Sequence, residues 1–241
     1  MHKSGTTMIA RILGASGVNM GCNTDLKYDS KGGQYECVDT QEVNMHILGC
    51  SQKTFSLDVY LPKHLVDLED GDIEKIKSII KHFNEKNCSN WGFKDPRTCL
   101  IWDSWTKYAR NSRIVAIWRD PREVMNHYIP IKPFYRQSPF RLSRAFKVLR
   151  AWFYHNSCVL KAIGMHTDSI LFEYSSFVNQ DKPIRNLEKF LNFKVNDRRI
   201  NKMYRSKSRD TFLFKLASLI CRFKGLNIKR IQNQLLLNSS R

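Results

Sequence analysis

The stretch Arg113-Ile114-Val115-Ala116-Ile117-Trp118-Arg119-Asp120-Pro121-Arg122 decides how this chain is read. Its apolar, β-branched run lacks the alternation of a half-exposed strand and predicts a strand over 113–118 that is buried on both faces. The run ends abruptly in a charged turn. A second turn of the same wording, Lys94-Asp95-Pro96-Arg97, closes a shorter candidate strand at Trp91–Phe93, and a third candidate strand spans 169–173. Helical spacing predicts helices between them. Met8, Ile9, Ile12 and Leu13 share a face over 5–15, with Gly14 and Gly17 near its end, and a polar loop runs on through Gly33. Further helices are predicted near 39–49, over Ile73–Phe83 with Asp72 as cap, and over 140–163 and 184–192. Buried strand, polar turn, then helix is the pattern of an α/β fold with a parallel sheet flanked by helices. Ligands in such sheets sit at the carboxyl ends of the strands, where the charged turns lie.

The 241 residues suffice for one domain, 1–241, ending in a basic helical segment, 198–241. Hydrophobic residues make up 42% and aromatic residues 12%, which excludes a disordered chain. A formal net charge of +18 favours polyanionic partners without choosing among them. The seven cysteines are odd in number and form no CxxC pair, so neither a zinc site nor a full disulfide framework is indicated, and reduced thiols are expected. Asn-x-Ser triplets stand at Asn87 and Asn238. No apolar run approaches the roughly 20 residues of a membrane span, and polar residues follow Met1 at once, unlike a signal peptide. A cytoplasmic location is expected, or a Golgi-lumenal or membrane-associated one if an anchor precedes Met1.

Chemistry enters at His2-Lys3-Ser4-Gly5-Thr6-Thr7, which opens the first helix. A small, hydroxyl-rich turn exposes backbone N–H groups at the positive end of the helix dipole, so a phosphate fits there, and Lys3 adds a full charge. The competing reading is an ordinary helix cap by Ser4 or Thr6. The spacing GxxxxGK[ST] is absent, which argues against an ATPase or GTPase.

The Lys-Ser-Gly-Thr-Thr run resembles the 5′-phosphosulfate loop of sulfotransferases that use 3′-phosphoadenosine-5′-phosphosulfate (PAPS). The resemblance implies that Lys3 contacts the bridging oxygen and leaving phosphate, while Ser4, Gly5, Thr6 and Thr7 wrap the 5′-phosphate. The strand 113–118 with Arg119 is similar to that family's 3′-phosphate segment, where an arginine directly after a strand grips the phosphate. A guanidinium suits the task because its fork matches phosphate oxygens. The family usually has a serine eight positions later; this chain has His127, with Asn126 and Tyr128 as possible substitutes. Taken alone, Arg119 would simply pair with Asp95 or Glu123.

Three shorter segments extend the resemblance. Gly33-Gln34-Tyr35-Glu36 and Trp91-Gly92-Phe93-Lys94-Asp95-Pro96-Arg97 resemble segments of bacterial sulfotransferases. Leu171-Phe172-Glu173-Tyr174, with Phe190-Leu191 and Asn192 in place of a family glycine, resembles a third. The resemblance implies a three-layer P-loop-type parallel sheet and in-line transfer from PAPS, a co-substrate, without metal. It also implies a hydroxyl acceptor, foremost a carbohydrate. Glu36 is the candidate base, with His127 and then His46 as rivals. Lys94 and Arg97 would orient the acceptor or neutralise sulfate oxygens, or else pair with Asp95 and Asp103.

Two features depart from the family. The arginine–lysine–glycine segment of cytosolic members is echoed only by Arg222-Phe223-Lys224-Gly225. Met1 stands two residues before Lys3, leaving no room for the apolar strand that usually leads into the loop; upstream DNA is expected to encode roughly four to six apolar residues in frame. Readings from other classes are a nucleotide- or polyanion-binding protein without catalysis, and a P-loop kinase. No specific nucleic acid is expected. The basic C-terminal segment carries apolar Phe212, Leu213, Leu216, Leu219, Ile220 and Phe223 between its cations, which suits either packing on the core or contact with a membrane surface or an acidic glycan.

Overall fold

A computed structural model describes residues 1–21, 35–60, 68–85, 90–129, 140–199 and 210–239. Gly33 and Gln34, Asn87, Cys22 and Cys88, and the cations at 202, 205, 207, 209 and 241 fall outside these residues. The chain is α/β and mostly helical, built on a small parallel sheet. Strands β1 (Ile114–Trp118) and β2 (Ser169–Glu173) pair in parallel, with Ile114 opposite Ser169 and Trp118 opposite Glu173. The connection between them contains helices α5 (Pro121–Tyr128) and α6 (Phe140–Met165), the long crossover that parallel pairing requires.

Alternation along the strands sends side chains to two cores. Ile117 and Phe172 meet Met8, Ile9 and Ile12 of α1 (Thr6–Ala15), together with Phe177 of α7 (Tyr174–Asn179) and Leu187 of α8 (Lys182–Leu191). On the other face, Trp118 and Leu171 meet Leu149 and Trp152 of α6, along with residues of α9 (Phe212–Phe223) and α10 (Ile228–Ser239). Helices therefore cover both faces. A third core joins α2 (Val38–Ile47) and α3 (Asp70–Glu85) to the segment around α4 (Trp102–Thr106) through Val43, Ile76 and Trp105. Asn192 stands at φ 63° just beyond α8, in the left-handed conformation that asparagine tolerates better than most residues.

Two expectations are corrected. Trp91–Phe93 does not form a strand: among the described residues only Trp91 pairs, through a single parallel bridge to Asn19. Asp72 does not cap α3, which begins at Asp70; instead its buried carboxylate lies 2.7 Å from Nδ1 of His46 and ties α3 to α2. A cavity of about 830 Å³ is lined by residues 90–96 and by Ile114–Ile117 of β1, with Met1, Ile9 and Leu13 also among its walls.

Buried inside α6, His155 has its Nε2 2.7 Å from the Val59 carbonyl oxygen and its Nδ1 3.3 Å from Cys99 Sγ. Burial, reinforced by neighbouring positive charge, holds its pKa well below 6.5. The unfolded chain binds a proton below about pH 6.5 that the folded chain refuses, so stability falls as pH drops through that value and is unaffected above it. The expected slope from this group is up to about 1.4 kcal/mol per pH unit. Melting curves between pH 7.5 and 5 should show it, and His155→Leu should flatten it; an unchanged slope in that variant would refute the assignment.

Candidate functional site

The site begins where α1 begins. Lys3 at φ 66° and Gly5 at φ 103° both adopt left-handed backbone, which folds the chain back on itself just ahead of the helix. Gly5 is the N-cap and has no side chain to cap the helix. The N-cap position is thus Gly5 rather than Ser4 or Thr6, and Ser4 is buried. Gly5 is also obligatory on steric grounds. A Cβ there would lie 2.5 Å from Cδ2 of Tyr174, in addition to the left-handed strain. Gly5→Ala is expected to cost at least the ~1–2 kcal/mol of the backbone strain, seen as a lowered melting temperature, and to displace the loop from Tyr174.

Strand register brings the second half of the site to the same place. Because Trp118 pairs with Glu173, the residues that follow, Arg119 and Tyr174, emerge side by side at the carboxyl ends of β1 and β2. The guanidinium lies 4.1 Å above the Tyr174 ring. Its Nη1 donates to the Lys3 carbonyl oxygen at 3.3 Å and its Nε to Glu123 Oε2 at 2.7 Å. The carbonyl of Arg119 accepts from Trp152 Nε1 at 2.8 Å, which pins the backbone. The pairing with Glu123 foreseen for a lone arginine therefore exists, yet it leaves Arg119 against the loop.

The two Asp-Pro-Arg turns share one geometry. Asp95 accepts the backbone N–H of Arg97 at 2.8 Å and its Nε at 2.9 Å; Asp120 accepts the same two groups of Arg122 at 2.8 and 2.9 Å. Each turn closes on its own arginine and leaves the cation before it, Lys94 or Arg119, to project toward the start of α1. Lys94 Nζ reaches Thr7 Oγ1 at 3.4 Å and Glu36 Oε1 at 2.5 Å. Lys94 and Glu36 are both buried, and Gln41 also donates to Glu36. The expected proximity of Glu36 to a lysine is met through Lys94. Arg97 is otherwise engaged: burial disfavours its charge, but Asp95 outweighs this and holds its pKa above the ordinary value. It braces the turn, the alternative weighed for it from sequence.

His127 lies at the far end of α5 from the Asp120 turn. It is exposed in the last turn of α5, edge-on to Tyr128 at 5.4 Å, and about 10 Å along the helix separates it from the Asp120 end beside Arg119. His46 is held by Asp72 between α2 and α3. Arg222-Phe223-Lys224-Gly225 is exposed at the end of α9, with Lys224 over the Phe146 ring, whereas α10 meets the Asp120 turn, where Gln232 Nε2 donates to Asp120 at 3.1 Å.

Sequence reading overlooked two supporting residues. Tyr174 is the floor of the site, and its signal was its place immediately after β2, in register with Arg119. Asn44 anchors the Asp95 turn, donating to Asp95 and Thr98 at 3.0 Å and accepting from Trp105 Nε1 at 2.8 Å. Nothing local in the sequence marks it. The chain matches no protein-family model, no curated protein and no solved structure.

Chemically, Lys94 and Arg119, paired with Glu36 and Glu123, stand beside the start of α1, and exposed Lys3 lies in the loop ahead of it. Such a donor set suits a phosphate or sulfate ester.

Proposed function

We propose that this chain is a PAPS-dependent sulfotransferase that passes a sulfuryl group directly to a hydroxyl acceptor, most readily that of a carbohydrate. The observation that carries the reading is the 3.3 Å contact between Arg119 and the Lys3 carbonyl. It joins the start of a helix and a strand-end guanidinium at one site, as a nucleotide with phosphates on both sides of its ribose requires. The donors fit that ligand. Amides of Gly5, Thr6 and Thr7 with Lys3 would hold the 5′-phosphosulfate, and Arg119 on Tyr174 the 3′-phosphate.

Sulfuryl transfer breaks the bond from sulfur to the phosphate oxygen and forms one to the acceptor oxygen, in line, so the protein chiefly positions reactants and stabilises charge on the leaving phosphate. Lys3 and Lys94 supply that charge. Glu36 takes the acceptor proton, and its contact with Lys94 fixes the carboxylate in place. His127 is the weaker candidate for base because of its distance along α5. Arg97 acts on the acceptor side only through the turn that presents Lys94. The finer architecture, a three-layer P-loop-type sheet, is part of this proposal; the cavity lined by β1 supports it, offering room for one more strand.

A second reading, nucleotide binding without transfer, is favoured by the two internal ion pairs, Lys94 with Glu36 and Arg119 with Glu123, which occupy charges that a reactant would use. A P-loop kinase has no observation in its favour. Incubation with sulfur-labelled PAPS and a panel of glycan and phenol acceptors separates the readings. Label in an acceptor supports the enzyme; tight nucleotide binding with no label in any acceptor supports the second reading.

A further inference from the structure

Helix α9 has two apolar faces where a packed surface helix needs one. Ala217 and Cys221 are fully buried and dock the helix on α6. At 3.6 residues per turn, Phe212, Leu216, Leu219 and Phe223 form a stripe on the opposite side. Phe212 is 81% exposed, Phe223 83% and Leu219 48%, so this stripe faces outward rather than inward. Exposed Lys215, Arg222 and Lys224 border it. Asp210, 3.6 Å from Lys215, is the sole acidic residue between 198 and 241.

We propose that this face of α9 is a membrane-surface site that docks the protein on an anionic bilayer, with the two phenyl rings and Leu219 entering the headgroup boundary and the lysines and arginine meeting lipid phosphates. Aromatic and leucine side chains between cations are the composition of a helix that lies in an interface. The alternatives fit less well. A second copy would bring Lys215, Arg222 and Lys224 onto their own counterparts across a twofold axis, and a chain of +18 already resists self-association. An acidic glycan would satisfy the cations but leave the apolar stripe in water. The proposal is independent of the sulfotransferase reading and would stand if that reading failed.

The test is co-sedimentation of the full chain with vesicles of phosphatidylcholine alone or with one quarter phosphatidylglycerol, in about 0.1 M salt, where charge interactions reach on the order of 10 Å. The expected result is binding to the anionic vesicles at least tenfold tighter than to the neutral ones. Phe212→Ser with Phe223→Ser should lower it at least tenfold with an unchanged melting temperature, since neither ring packs in the core. Phe212→Trp should retain binding and show a blue-shifted emission with the anionic vesicles. The proposal is overturned if the wild type stays in the supernatant, if the double serine variant pellets equally, or if the Phe212→Trp emission does not move. It is equally overturned if analytical ultracentrifugation shows a dimer that the serine variant abolishes while vesicles go unbound, or if heparin is bound and vesicles are not.

Discussion

Arg119→Ala is expected to weaken binding of 3′-phosphoadenosine-5′-phosphate at least 100-fold. Two charge-assisted hydrogen bonds to a phosphate contribute about 1.5–3 kcal/mol each, and 1.4 kcal/mol is a factor of ten. The alanine also removes the cation from the Tyr174 ring and deprives Glu123, only 11% exposed at its side chain, of its 2.7 Å partner. Some loss of stability must therefore be separated from loss of affinity. Arg119→Lys does so: it keeps the charge near Glu123 but lacks the planar fork that matches a phosphate and stacks on tyrosine. It should melt near the wild-type temperature and still bind at least tenfold more weakly. If Arg119→Lys and Arg119→Ala bind like the wild type, the guanidinium is a structural partner of Glu123 and nothing more.

Glu36→Gln is expected to lower the rate of sulfuryl transfer by 10²–10⁴-fold, the range for loss of a general base. Nucleotide affinity should change little because the amide keeps an oxygen for Lys94, but the buried Lys94 charge loses its counter-charge, so a lowered melting temperature is expected alongside and rates are compared well below it. The fall should appear in kcat rather than KM. Lys94→Ala makes a different case. It strands a buried carboxylate whose partner lay at 2.5 Å, and removing one member of a buried pair costs on the order of 3–5 kcal/mol. That variant is expected to be poorly stable whatever its role in chemistry. Unchanged turnover in Glu36→Gln would remove Glu36 as the base and return His127 to consideration.

What could be read from residues alone divides along physical lines. β1, β2 and α6 were legible because each is a continuous or strongly periodic apolar run whose local pattern matches its final environment. Trp91–Phe93 was misread for the opposite reason: three apolar residues are too few to fix a strand, and whether they pair depends on a neighbour distant in sequence, which here is Asn19. Asp72 looked like a cap but serves His46 across two helices, a contact no spacing rule reveals. In the site, the loop at Lys3–Thr7 and Arg119 could be named from sequence because each sits at the junction of an apolar run and a polar turn. Their 3.3 Å approach could not, since it depends on how α1 packs against β1. Tyr174 and Asn44 were missed because their value lies wholly in partners 55 and 51 residues away, Arg119 and Asp95.

Isothermal titration of the protein with 3′-phosphoadenosine-5′-phosphate, beside ATP and a DNA oligomer at 50 and 200 mM salt, probes the central claim most directly. The clamp predicts that the bisphosphate binds at least tenfold tighter than either competitor and keeps most of that preference at the higher salt. Equal affinities for all three, vanishing together as salt rises, would mean that only the general positive field of the chain was being measured, and the shared site of Lys3–Thr7 and Arg119 would have no nucleotide to hold.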